Sequence, residues 1–204
     1  SLEGAAQEVS GTAVDVAGNT ASTSVSVNID LTPGLINGAV TPAPNAAGWN
    51  NADATVSFTC SDALSGVASC SDPQSLIQEG AQQAVTGTVV DIAGNSTSTT
   101  LTLNIDKAAP TLSFASPLQG SVQTENPPLV AIQITDNLQL DSGSLVLSTN
   151  GVHVAANCQV TAGVANCTLP AYIEGNNATI EARVSDMAGN EGSATVSFDF
   201  DNDG

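Results

Sequence analysis

An all-β chain, built as a string of two-sheet β-sandwich modules, is predicted by three observations. First, the phrase D-x-A-G-N occurs three times, beginning at Asp15, Asp91 and Asp186. Each copy has a Glu-Gly pair twelve residues before its Asp (Glu3, Glu79, Glu174) and a further Asp fifteen residues after it (Asp30, Asp106, Asp201). The copies superpose without a gap, and self-similarity of this kind marks a repeat architecture. Second, the segments around these phrases alternate apolar and polar residues with period two. Third, β-branched residues dominate them, as half-buried pleated surfaces favour, and no stretch keeps a helical period.

Taken in order, Thr23–Ile29 reads as the first clear strand, followed by Ala54–Cys60, Thr99–Ile105, Val130–Thr135 and Ala194–Phe200. In each D-x-A-G-N phrase, Gly and Asn supply the positive φ that a tight hairpin needs. Pro33 and Pro110 follow Asp30 and Asp106 and mark the start of the next module. Short strands with turns every 8–12 residues, about seven per module, indicate a sandwich of immunoglobulin type. With strands lettered A to G, D-x-A-G-N joins F to G. The repeat divides the chain into residues 1–30, 31–106 and 107–204. Thirty residues cannot bury a core alone. Residues 1–30 are therefore expected to be the last strands of a module whose first half lies upstream, with completion by strands of another chain as the alternative.

The net charge is −18, with Lys107 and Arg183 the only Lys or Arg. That excludes a phosphate-backbone grip on nucleic acid, which needs clustered cations, and disfavours an anionic membrane surface. No apolar run approaches the ~20 residues of a membrane span, so no membrane insertion is expected. Four cysteines fall into two local pairs, Cys60/Cys70 and Cys158/Cys167. In a small-module β-protein this spacing suggests disulfides and an oxidising compartment. Metal binding is the rival, but there is no C-x-x-C and only His153 to help.

Strand F, the D-x-A-G-N turn, strand G, Asn-Ile-Asp and then Pro-Thr together resemble the bacterial immunoglobulin-like repeats of large surface and secreted proteins. Gly48-Trp-Asn-Asn51 before strand B and Ser61-Asp-Ala-Leu-Ser-Gly-Val67 after it add to the resemblance, which covers nearly the whole chain. Residues 107–204 depart from the pattern. They lack the Gly-Trp-Asn-Asn phrase, their B–C region is longer, and their cysteine pair lies elsewhere.

Sandwich topology gathers acids. The B–C turn, the F–G turn and the incoming linker share one end of a module. This brings together Asp62, Asp91 and Asp30 in one case, and Asp136, Asp186 and Asp106 in the other. Two carboxylates about 4 Å apart repel by about 4 kcal/mol at an effective dielectric of about 20. Three must hold a cation or splay into solvent, and hard oxygen donors suit Ca²⁺. Some repeats of the resembled kind, like cadherins, stiffen their junctions with Ca²⁺, and the resemblance implies the same here. The alternative is structural: an Asp opening a hairpin turn accepts bonds from the turn's own N–H groups. Asp199-Phe-Asp-Asn-Asp-Gly204 also matches the first six positions of a calcium loop.

Catalysis finds little support. His153 lies in an alternating stretch that reads as a strand with an exposed ring, and no nucleophile motif accompanies it. Glu79 and Glu174 are expected to shape the turn before strand F. Trp49 is read as covering one end of a sandwich, with sugar stacking as its rival. The chain is thus expected to be a non-enzymatic segment of an extracellular or cell-surface protein: a stalk, an adhesin spacer or a filament block. Its partners would be neighbouring modules, other copies in a filament, or a surface glycan or protein. A glycan- or protein-binding module and a non-catalytic appendage of a secreted enzyme are the alternatives.

Overall fold

The computed structural model describes residues 2–170 and 177–200. Among them are strands and no helix, so no helix is long and apolar enough to cross a membrane. A hairpin comes first, β1 (Gly4–Val14) paired antiparallel with β2 (Thr20–Ile29). Next follow β3 (Leu35–Thr41), β4 (Trp49–Asn50), β5 (Ala54–Ser61), β6 (Val67–Cys70), β7 (Gln74–Leu76), β8 (Gly80–Asp91) and β9 (Ser96–Ile105). They form sheets of order β3-β5-β7 and β4-β9-β8-β6. The last stretch holds β10 (Thr111–Ser116), β11 (Val122–Gln123), β12 (Val130–Thr135), β13 (Leu140–Thr149), β14 (Val152–Val154), β15 (Asn157–Thr161), β16 (Val164–Thr168), β17 (Ala178–Asp186) and β18 (Glu191–Phe200). Its sheets are β10-β12-β16-β15 and β11-β18-β17-β13-β14.

In strand letters these orders are A-B-E with A′-G-F-C, and A-B-E-D with A′-G-F-C-C′. The short A′ strands run parallel to G in both stretches, β4 against β9 and β11 against β18. This is the immunoglobulin-like β-sandwich arrangement, and it occurs in tandem. All five alternating segments named from sequence lie inside β2, β5, β9, β12 and β18. One expectation needs correction. The B–C connection of the last stretch is not longer: residues 136–139 link β12 to β13, against 62–66 between β5 and β6. The added length instead extends β13 and creates β14, which widens the sheet.

By contact density the chain forms two compact units. One comprises Ser1–Thr41, Ala54–Leu76 and Ala84–Thr102; the other comprises Pro42–Asp53, Ile77–Gln83 and Leu103–Gly204. In the second unit, Val130, Ile132 and Ile134 of β12 and Ala165 of β16 pack with Leu147 of β13, Ile180 and Val184 of β17 and Phe198 of β18. The buried residues alternate along β12 and β17, as a one-sided sheet requires. Each of the Val, Ile, Leu and Phe side chains contributes about 1.5–3 kcal/mol by leaving water.

The first unit packs differently. Val56 of β5 and Val89 of β8 are fully buried, and at two places the sheets approach through a glycine, as they also do at Gly192 in the second unit. A Cβ on Gly38 of β3 would collide with the Leu101 side chain of β9, and one on Gly87 of β8 with the Phe58 ring of β5. Large side chains of one sheet thus rest on bare backbone of the other. Two disulfides complete the fold. Cys60–Cys70 joins β5 to β6, hence one sheet to the other, with Cα atoms 5.9 Å apart. Cys158–Cys167 joins directly opposed residues of β15 and β16 within a single sheet, with Cα atoms 4.0 Å apart.

Candidate metal centres

The D-x-A-G-N turn is a self-contained device. In the copy at Asp91, the Asn95 N–H donates to Asp91 Oδ1 (2.8 Å) and the Asn95 side-chain amide to Asp91 Oδ2 (2.9 Å). Gly94 takes φ +95°, and its N–H donates to the Asp91 carbonyl (3.2 Å). The other two copies repeat the pinch, Asn19 on Asp15 and Asn190 on Asp186. At Asp15 the Asn19 side chain, and then its N–H, hold the carboxyl below its ordinary value. The same amide reaches further: Asn95 Nδ2 also donates to the Asp30 carbonyl (3.1 Å), and Asn190 Nδ2 to the Asp106 carbonyl (2.9 Å). One asparagine therefore closes the turn and fastens the incoming linker beside it.

The linker acids are consequently drawn to the turn acids. In the first unit, Asp30 after β2, Asp62 after β5 and Asp91 at the end of β8 each offer a carboxylate oxygen within 4.8 Å of the other two. In the second unit, Asp106 after β9, Asp136 after β12 and Asp186 at the end of β17 do the same. Both sets are those that strand topology gathers on paper. Turn bonding and clustering coexist, because each pinched carboxylate oxygen keeps a free lone pair.

The surroundings of the two sets differ. Asp30 and Asp62 are half-buried. Asp30 accepts from the N–H of Thr32 (3.1 Å) and of Ser65 (2.9 Å), and Asp62 from the N–H of Leu64 (3.1 Å) and of Gly66 (2.7 Å). Bonding to Ser65 above all, then to Thr32, holds the Asp30 carboxyl below its ordinary value against the effect of burial. In the second unit Asp106 is 1% exposed and Asp186 2%. Asp106 Oδ1 accepts from Ala108 N–H (3.2 Å) and Asp136 Oδ2 from Leu138 N–H (3.3 Å). Asp106 Oδ2 and Asp136 Oδ1 are buried and have no hydrogen-bond partner among the described residues. Burial pushes the Asp106 carboxyl up; the Ala108 N–H opposes this, the charges of Asp186 and Asp136 add to it, and the Asn137 side chain opposes it. Burial likewise pushes Asp136 up, against the N–H groups of Leu138 and Asn137 and with the Asp186 charge. A buried anionic oxygen with no donor is costly, and a cation is the partner whose charge matches it.

Sequence reasoning missed the role of the Glu-Gly glutamates. Glu79 does not simply shape the turn before β8. Its carboxylate accepts from the N–H of Lys107 (2.7 Å) and the amide of Asn137 (3.4 Å). Glu3 accepts from the N–H of Leu31 (3.2 Å) and the hydroxyl of Thr32 (2.8 Å). Each glutamate thus clasps the residue that follows the linker Asp, 28 positions downstream. The readable signal was the constant spacing between Glu-Gly and that Asp.

Trp49 is 5% exposed in β4, so its ring is covered. His153 is exposed on β14, opposite Ser148. Lys107 pairs with Asp53 (2.8 Å), and Arg183 with Glu181 (2.9 Å) and Glu191 (3.1 Å). Glu174 and residues 201–204, including Asp201 and most of the C-terminal calcium-loop phrase, lie outside the described residues. Asp199 is described, and its carboxylate accepts from Asn177 N–H (2.6 Å).

No protein-family model matches the chain, and no curated protein matches it. Solved structures match loosely. The fibronectin(III)-like modules of CbhA from Clostridium thermocellum align at 12% identity over 81% of this chain and 94% of that chain, with a TM-score of 0.40. The extracellular cadherin domains 1–5 of protocadherin gamma B2 align at 14% identity over 98% of this chain and 47% of that chain, with a TM-score of 0.32. The N-terminal eight Ig domains of Down syndrome cell adhesion molecule align at 9% identity over 96% of this chain and 30% of that chain, with a TM-score of 0.33. Likeness this loose carries no argument about function, and the fold class rests on the strand orders.

Proposed function

We propose that this chain is a load-bearing segment of an extracellular or cell-surface protein, a stalk or filament of immunoglobulin-like modules whose junctions Ca²⁺ stiffens. The module boundaries in this reading fall after Asp30 and Asp106. Asp106, Asp136 and Asp186 would hold one ion, and Asp30, Asp62 and Asp91 form the corresponding set. The observation that carries the reading is the pair of buried, unpartnered oxygens on Asp106 and Asp136. An all-oxygen donor set of carboxylates suits a hard cation. When bound, Ca²⁺ supplies charge compensation and ties linker, B–C turn and F–G turn together. The disulfides support an oxidising compartment. The surplus of negative charge supports solubility without self-association.

A thermal melt in millimolar Ca²⁺ and again in EDTA tests this. Ca²⁺ at about 100 times its Kd adds about 2.7 kcal/mol. For a chain of this size that is a rise in Tm of roughly 5–10 °C, and Asp136→Asn removes it. Superimposable curves overturn the cation part of the reading.

A further inference from the structure

We propose that the two acidic clusters are unequal: Asp106, Asp136 and Asp186 take a divalent cation tightly, whereas Asp30, Asp62 and Asp91 form a joint already closed by hydrogen bonds that needs no ion. The inference rests on the proposed function and alters what the repeat alone implies, which is one ion per junction.

In the first cluster five of the six carboxylate oxygens accept a hydrogen bond: both of Asp30, both of Asp91, and Asp62 Oδ1, which accepts two. In the second cluster four of the six do: Asp106 Oδ1, Asp136 Oδ2 and both of Asp186. The remaining two, Asp106 Oδ2 and Asp136 Oδ1, are buried without a partner among the described residues. Asp106 itself is 1% exposed, so bulk solvent does not reach it.

The difference has a definite origin in the chain. Both B–C turns end on the same main-chain bond to the F–G turn: Ile92 N–H donates to the Gly66 carbonyl (2.9 Å), and Met187 N–H to the Gln139 carbonyl (2.9 Å). Gly66 is four residues beyond Asp62, but Gln139 is three beyond Asp136. The second turn is therefore one residue shorter. In the first, Ser65 N–H reaches the linker acid Asp30 Oδ2, and Gly66, at φ +89°, turns its N–H onto Asp62 Oδ1. In the shorter turn Leu138 N–H, with a further main-chain contact from Asn137, serves Asp136, and Asp106 Oδ2 and Asp136 Oδ1 have no hydrogen-bond partner among the described residues. The turn with one residue fewer leaves two carboxylate oxygens of the cluster buried and bare.

Isothermal titration of the EDTA-stripped full chain with CaCl₂ decides the matter, using the native protein, Asp62→Asn and Asp136→Asn. The expected result is one tight ion per chain, with Kd in the range of about 10⁻⁷–10⁻⁵ M. Asp62→Asn leaves it unchanged, and Asp136→Asn weakens it by at least about 100-fold. A melt of Asp136→Asn in EDTA controls for folding, and it is expected to match or exceed the native chain because the change removes a buried charge. Two ions of similar affinity overturn the inequality and leave the proposed function standing. One ion lost through Asp62→Asn but kept in Asp136→Asn reverses the assignment and overturns the proposal. No ion at all overturns both.

Discussion

The two units hold their sheets together by different means. In the second, residues of β12, β13, β16, β17 and β18 interlock in one apolar cluster, and the disulfide Cys158–Cys167 sits inside a sheet that is already paired. In the first, few apolar side chains are fully buried, glycines let Leu101 and Phe58 rest on backbone, and Cys60–Cys70 spans the sheets. A small sandwich can substitute close backbone approach and a covalent tie for a large core. A wider one can leave its disulfide to reinforce local pairing.

The strongest way to break this comparison is Phe198→Ala. It should cost about 3–5 kcal/mol through the cavity left, read as a fall in the urea midpoint of a transition that the first unit does not share. A smaller effect is expected from Cys60→Ala with Cys70→Ala. Opening that loop should cost about 2–3 kcal/mol, and hydrogen exchange should accelerate in β5 and β6 while β17 and β18 keep their protection. Equal loosening of both units in either variant would show that they fold as one and defeat the comparison.

The gentlest test is pH, in calcium-free buffer. Burial raises Asp106 and Asp136 above the ordinary carboxylate value of 3.8, so their folded forms bind protons that the unfolded chain releases. The second unit should therefore gain stability as pH falls from neutral toward about 4, and lose it as pH rises again. Asp30 is lowered by Ser65. Its contribution is present above 3.8 and disappears as pH falls through its folded value. Residue-resolved hydrogen exchange at pH 7 and pH 5 should show protection rising in β17 and not in β8. Parallel behaviour of both would remove the electrostatic side of the contrast.

Much of this was legible in the sequence because it is periodic or local. Alternation marked β2, β5, β9, β12 and β18, and the repeated D-x-A-G-N phrase placed its turns. Strand topology then predicted which acids converge, since B–C turn, F–G turn and linker share one end. What escaped was neither periodic nor local. The glutamate clasp spans 28 residues and gives no pattern within either strand. The shorter B–C turn was hidden because residues added to β13 and β14 masked the one lost before them. Burial of Asp106 follows from packing around the linker, which composition does not report.

The asparagine pinch has a kinetic consequence. Its bonds to the turn Asp close within five residues, so ordering the turn requires little loop entropy, and the bond to the linker carbonyl can follow later. The β8–β9 hairpin is accordingly expected to be an early structure within its module, while pairing of β3 with β5 waits on longer closures. It is also the last part of that module to leave the ribosome. A nucleus placed at the trailing end keeps earlier strands uncommitted until their own partner arrives, and it shortens the interval in which one repeat can trade strands with the next.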